Sequence, residues 1–166
     1  GVTTIYVTHD QEEALAISDK VIVMNNAVIA QEGSPKDLYN FPKNKFVANF
    51  IGDANVVKAE IVNKQSNTYE LKLGEMHIKI ESDKDLKHSI SVALRPEKIN
   101  IHKNKTENSI HAKIITASFV GSSYQYVLIS KIGNLYAVSG DTKNVFNVDD
   151  EVYLTIGKEE IKILND

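Results

Sequence analysis

Apolar positions along the chain follow two different periods, and the change falls near Asn55. Before it, short apolar runs alternate with helix-type spacing. Residues 5–8 favour a strand and run directly into His9 and Asp10. Ala14, Leu15 and Ile17 then lie on or near one helical face, with Asp10 placed as N-cap and Glu13 placed to complete a capping box. Residues 21–24 form a continuous apolar run, as expected of a strand buried on both faces. Asn25-Asn26 predicts a turn, and residues 28–31 return as a second strand. In the next helix Ser34 is the cap, Pro35 takes the first position and Asp37 closes the box. Pro42 ends it. Asn44 caps a third helix, with Phe46, Val47, Phe50 and Ile51 on one stripe and Gly52 as its stop. Residues 53–55 are expected to form a hinge.

After Asn55 the period becomes that of strands. Residues 56–62 alternate loosely. Tyr69, Leu71 and Leu73 alternate cleanly, as do Met76, Ile78 and Ile80, around a two-residue turn at Gly74-Glu75. Residues 90–94 form a strand that Pro96 should break, because proline lacks a backbone donor. A long strand over 110–120 ends at Gly121, which predicts a bulge or bend. Hairpins are expected around Gly133-Asn134, and around Gly157-Lys158 between strands 152–156 and 161–163. The segment 72–78 weakly echoes 131–137, which two similar hairpin turns would explain. Eight or nine short strands in this half predict a small β-barrel or sandwich. The fold class is therefore mainly β, preceded by a short α/β part, with units at 1–53 and 54–166.

Composition removes several kinds of chemistry. Hydrophobic residues make up 42% and charged residues 25% of 166, as in ordinary globular proteins. A formal net charge of −3 argues against a broad nucleic-acid face, so no nucleic-acid partner is expected. With no cysteine, disulfides, thiolate catalysis and cysteine-bound metals are excluded. No apolar run approaches the ~20 residues that span a bilayer.

The ordered set Tyr6-Val7-Thr8-His9-Asp10-Gln11-Glu12-Glu13-Ala14, Ser18-Asp19, Val23-Met24-Asn25 and Gly33-Ser34-Pro35 resembles the end of the ATP-binding subunit of ABC importers. The similar group carries a C-terminal TOBE domain, OB-like in fold, and serves ferric iron, polyamines, sulfate and sugars. Phe50-Ile51-Gly52-Asp53-Ala54-Asn55 matches that family's domain junction. The segment 91–99 resembles its Arg-Pro-Glu segment, and Phe119-Val120-Gly121-Ser122 its later strand bend. The chain departs from the family at Ala27, where glycine is usual; a left-handed backbone there would cost alanine about 1 kcal/mol.

The resemblance implies that His9 is the switch histidine, which contacts the γ-phosphate of ATP in a full-length parent. Read from chemistry alone, a lone histidine at a strand end is structural. The phosphate loop and signature loop that would hold ATP and magnesium are missing from the sequence. The chain is therefore expected to be part of a longer protein, inactive alone, with no cofactor site and no metal site of its own. His77 and Glu75 could share a strand face, too little for a metal site. Arg95 and Glu97 are interface candidates: they could fix the junction between the two units or between two regulatory domains, although a local turn is the plainer reading. Ser122 and Ser123 could offer donors to an oxyanion, although a polar bend suffices. Tyr124, Tyr126, Tyr136 and Tyr153 suit packing better than base stacking, because no basic stripe accompanies them.

The implied function is the regulatory and dimerisation region of an importer's ATP-binding subunit. Gly1-Val2-Thr3, residues 33–39 and residues 52–55 look closest to the ferric-iron group. The alternative is an oxyanion- or solute-sensing domain of a polyamine, sulfate or sugar importer. Implied partners are a second copy, with or without exchanged segments, the permease subunits and, indirectly, a solute-binding protein. The implied location is cytoplasmic, on the inner face of the membrane through the permease.

Overall fold

The computed structural model describes residues 1–165. Its helices begin where side chains can satisfy the free amides of a first turn. Asp10 accepts from the amides of Glu12 and Glu13 and opens α1 (Gln11–Ile17). The second half of the expected box does not form: the Asp10 amide goes to Thr8 Oγ1, and Glu13 instead accepts from Tyr6 and Thr8. At the start of α2 (Pro35–Asn40) the Ser34 hydroxyl accepts from the Asp37 amide and donates to the Asp37 carboxylate, so the reciprocal bond runs through the hydroxyl and not through the Ser34 amide of a capping box. Asn44 caps α3 (Lys45–Phe50) through the Val47 amide.

Between α1 and α2 lies a two-stranded sheet, β1 (Val21–Asn25) with β2 (Val28–Gly33). Its turn has Asn26 at φ 50° and Ala27 at φ 63°. Both central residues are left-handed, as a right-twisted hairpin demands, and Ala27 bears the steric cost. Val21 and Val23 point into a small core with Leu38, Val47 and Ile51. The other face stays open, leaving Ile22, Met24 and Ile29 exposed, and Val28 is exposed beside the turn. Burial on both faces, expected for 21–24, is therefore corrected to one face. The strand expected at 5–8 does not form either: residues 1–8 carry no regular structure, and Ile5 and Val7 are each 89% exposed. A strand needs a neighbour to take its backbone bonds, and these residues have none among the described residues.

From Asn55 onward the chain makes two five-stranded antiparallel sheets around one core. One contains β3 (Asn55–Gln65), β4 (Thr68–Leu73), β5 (Met76–Glu81), β6 (Ser89–Leu94) and, from the far end of the chain, β12 (Ile161–Ile163), in the order β12-β6-β3-β4-β5. The other contains β7 (Asn100–His102), β8 (Ile110–Phe119), β9 (Tyr124–Ser130), β10 (Gly133–Ser139) and β11 (Glu151–Thr155), in the order β10-β9-β8-β11-β7. Alternate side chains turn inward, as the two-residue period requires. Tyr69, Leu71, Leu73, Tyr126, Leu128 and Leu135 are among those sealed between the sheets. Pro96 ends β6 and starts a 3-10 turn, Pro96–Lys98.

Three strand-level expectations change. The loose alternation of 56–62 is a bulge in β3 between Ile61 and Asn63. The β9–β10 turn falls at Lys131-Ile132, not at Gly133-Asn134, because pairing Leu135 with Leu128 and Ala137 with Tyr126 brings all four into the core. The echo of 72–78 in 131–137 therefore has no common geometry: Gly74 sits in a turn and Gly133 starts a strand. Residues 152–156 and 161–163 are not a hairpin. β11 joins β7 and β8, whereas β12 crosses to pair with β6, the 3-10 turn Lys158–Glu160 carrying the chain between sheets. β7 escapes the pattern because it is three residues long with one apolar side chain.

Candidate functional site

The most constrained polar constellation lies where the helices meet the β-rich part. Arg95 follows β6 and is 3% exposed. Its Nη1 donates to the carbonyls of Ala48 (3.1 Å) and Ile51, and its Nη2 donates to the carbonyl of Tyr39. These acceptors are at the C-terminal ends of α3 and α2, where carbonyls lack helical partners and a cation is favoured by the helix dipole. One side chain from the β-rich part thus caps two helices of the α/β part. The guanidinium also lies 4.0 Å from the centroid of the Tyr39 ring. Burial pulls the Arg95 pKa below its ordinary value, opposed by Tyr39, Glu97 and Asp53, and an arginine stays charged under such a shift.

Glu97, in the turn after Arg95, accepts from the Tyr39 hydroxyl. Burial first, then this bond and the Glu97 charge, push the Tyr39 pKa far up, so the hydroxyl remains a donor. Gly52 completes the seam. At φ 79° it adopts a conformation that side chains disfavour, and a Cβ there would lie 2.5 Å from Tyr39 Cε2 and 3.0 Å from Arg95 Nη1. Its amide donates to Gln11 Oε1 at 2.5 Å, which ties the start of α1 to the same point. Ala48, Ala54, Ala93 and Leu164 pack beneath as a small apolar cluster.

Sequence reasoning named Arg95 and Glu97 but missed Tyr39, Gln11 and two side-chain amides, one part-buried and one buried. Asn55 imitates a strand partner: its Nδ2 donates to the carbonyls of Leu94 and Tyr136, and its Oδ1 accepts from the Tyr136 amide, stitching the two sheets together. Gln31, 6% exposed, donates to the Phe41 carbonyl and accepts from the Lys43 amide. The signal for Gln31 was a polar residue directly after the apolar run Val28-Ile29-Ala30. Tyr39 carried none beyond its helical position.

The other candidates are dispersed. His9 is exposed in the loop before α1, two residues from Gln11 and away from Arg95. His77 pairs with Glu70 at 2.8 Å, whereas Glu75 pairs with Lys131. Among the described residues no group of three or more His, Asp or Glu is placed to hold a metal. Ser122 and Ser123 sit in the open turn between β8 and β9, where the Ser122 amide is spent on the Val120 carbonyl. Tyr126 is sealed in the core with Phe146 against it, and Tyr124 stacks between Tyr126 and Phe119. No helix among the described residues is long and apolar enough to cross a membrane.

Comparison with known proteins gives this seam a context. A family model described as TOBE domain matches residues 92–164, beginning inside β6 just before Arg95. The chain is 34% identical to the Fe(3+) ions import ATP-binding protein FbpC of Fusobacterium nucleatum, covering 100% of this chain and 45% of that protein. It is 36% identical to the spermidine/putrescine import ATP-binding protein PotA of Clostridium acetobutylicum, covering 99% and 45%. The chain thus spans about half the length of these relatives, matching their C-terminal halves. Among solved structures, the cytoplasmic molybdate-binding protein ModG superposes with a TM-score of 0.53 at 8% identity, over 66% of this chain and 94% of that one. That likeness establishes the OB-like fold of the two curled sheets. Residues 92–164 are a TOBE domain, and the chain as a whole belongs with the C-terminal halves of the ATP-binding subunits of ABC importers.

Proposed function

We propose that this chain is the regulatory and dimerisation region of an importer's ATP-binding subunit, with ferric iron as cargo. Residues 1–53 would be the end of a nucleotide-binding domain and 54–166 the regulatory domain. One observation carries the reading: an unbroken set of contacts runs from Gln11, two residues after His9, through Gly52 to Arg95 and Tyr39, and on to Glu97. In a full-length subunit binding ATP and magnesium, His9 would face the γ-phosphate. A shift of the β-barrel would then reach the histidine loop through packed, hydrogen-bonded groups rather than a flexible hinge.

The open face of β1 and β2, with Ile22, Met24 and Ile29, calls for a cover. In this reading it is covered by the rest of the nucleotide-binding domain, and alone by a second copy adding to the free edges of the sheet. The permease subunits and a solute-binding protein complete the assembly, which places the subunit at the cytoplasmic face of the membrane. Iron and polyamine relatives are similarly identical to the chain, so cargo is decided by transport. Cells lacking the gene should lose uptake of labelled ferric iron and keep uptake of labelled spermidine. Loss of spermidine uptake with iron uptake intact would overturn the assignment. The isolated chain should be dimeric by light scattering at high micromolar concentration, and a monomer there would contradict self-association.

A further inference from the structure

A roomy cavity shares no lining residue with the Arg95 constellation. It is a cleft of about 750 Å3 between the segment that follows α2, the edge strand β5, and β12 with the turn before it. Among the described residues β5 pairs only with β4 and β12 only with β6, so the two free edges of one curled sheet face each other across the cleft. Lys43, Lys79, Lys84, Lys158 and Lys162 line it, against Glu81 and Glu159. Five of the chain's nineteen Lys and Arg thus stand with two of its twenty-two Asp and Glu, in a chain whose net charge is −3.

The pairing of these lysines is as informative as their number. Elsewhere Lys20, Lys64, Lys98, Lys113 and Lys131 each meet a carboxylate within 3.2 Å. Among the described residues none of the five cleft lysines does. Lys84 donates to the Asn165 side chain and Lys162 to the Glu159 carbonyl, both neutral acceptors. Lys162 also sits 5.8 Å from the centroid of Phe41, which is 66% exposed at the cleft mouth. Part-buried Ile80 and Ile163 give the cleft an apolar floor between its charges.

We infer that this cleft binds a small organic or inorganic polyanion carrying several phosphate or carboxylate groups. The volume lies in the range of small-molecule sites, roughly 300–1,000 Å3, and exceeds what one simple oxyanion fills. Unpaired ammonium groups on opposing walls suit a ligand with charge at both ends. An acidic peptide strand is the poorer fit, because lysines along a free edge discourage strand addition. Since Lys43 belongs to the α/β part and the other four lysines to the β-rich part, a bound polyanion would bridge the two and hold the seam closed.

Calorimetry of the whole chain at low salt tests this without any transport activity, using inorganic tripolyphosphate and citrate as probes and spermine as a cationic control. At least one anion should bind at a single saturable site, with spermine silent; which anion binds more tightly assigns phosphate or carboxylate chemistry. Lys79→Glu with Lys158→Glu should weaken it at least about tenfold, since each swap replaces attraction with repulsion. Lys103→Glu with Lys105→Glu, outside the cleft, should change it less than about twofold at equal net charge. Where the charge reversal unfolds the chain by circular dichroism, Lys79→Gln with Lys158→Gln replaces it, with a smaller loss expected. No saturable binding at 1 mM on the scale of weak ligands, equal losses in both double variants, or binding of polyglutamate alone would each overturn the inference.

Discussion

The two parts of this chain bury their apolar residues very differently. The β-rich part closes two sheets over one cluster of twenty-three buried residues, so each strand has a neighbour or a covered face. The α/β part has five buried residues in its own cluster and an exposed apolar strand face beside it. A core of that size offsets little of the entropy of ordering some fifty residues. The first part is held by its own packing. The second is held by what it docks on, and Arg95 is the principal polar contact in that docking.

This contrast can be broken at either end. The largest effect is expected from Leu128→Ala, which opens a cavity in the closed core and should cost about 4 kcal/mol in denaturant unfolding, destabilising the whole molecule. Arg95→Ala should cost about 3 kcal/mol, because the Ile51 and Tyr39 carbonyls lose a charged donor in a buried place and the Ala48 carbonyl keeps only the Ala54 amide. Its effect should be local, loosening α2 and α3 while the barrel transition stays put. Gly52→Ala should cost about 2 kcal/mol through the same seam, since the new methyl meets Tyr39 and the backbone is left-handed. Ala27→Gly works in the opposite direction, stabilising the β1–β2 hairpin by about 1 kcal/mol.

The smallest effect is one of pH. A tyrosine whose folded pKa is raised above its unfolded value of 10.0 stabilises fully below that value and loses this contribution only as pH climbs towards the folded pKa. The Tyr39–Glu97 bond should therefore show no pH dependence from Tyr39 up to pH 10. Spectroscopic titration should find the same absorbance change near pH 10 in the parent chain and in Tyr39→Phe, because the phenol removed is one that does not ionise there. Ionisation of Tyr39 near pH 10 would show the seam to be open.

Much of this was legible in the residues. Caps at Asp10, Ser34 and Asn44 announced all three helices, and the two-residue period announced most of the strands, because both signals are local. What stayed hidden depends on partners distant in sequence. Nothing near residues 161–163 says that they cross to β6 instead of folding back on β11. Residues 5–8 have a strand's composition, but composition does not supply a neighbour. Arg95 and Glu97 stood out as charges beside a proline, yet their meaning depends on Tyr39, fifty-six and fifty-eight positions away, and on a glycine that lets them approach. The lysine cleft is assembled from separate segments of the chain, and nothing in any one of them says that the others stand beside it.

The most direct test of the seam is native-state hydrogen exchange on the parent chain and on Arg95→Met, which keeps a long side chain but donates nothing. Amides of residues 35–52 should lose protection by at least about tenfold in the variant, the equivalent of roughly 1.4 kcal/mol. Amides of β8 and β9 should keep theirs. Unchanged protection across 35–52, or equal loss in both regions, would contradict the division between a self-supporting barrel and a docked α/β part held by Arg95.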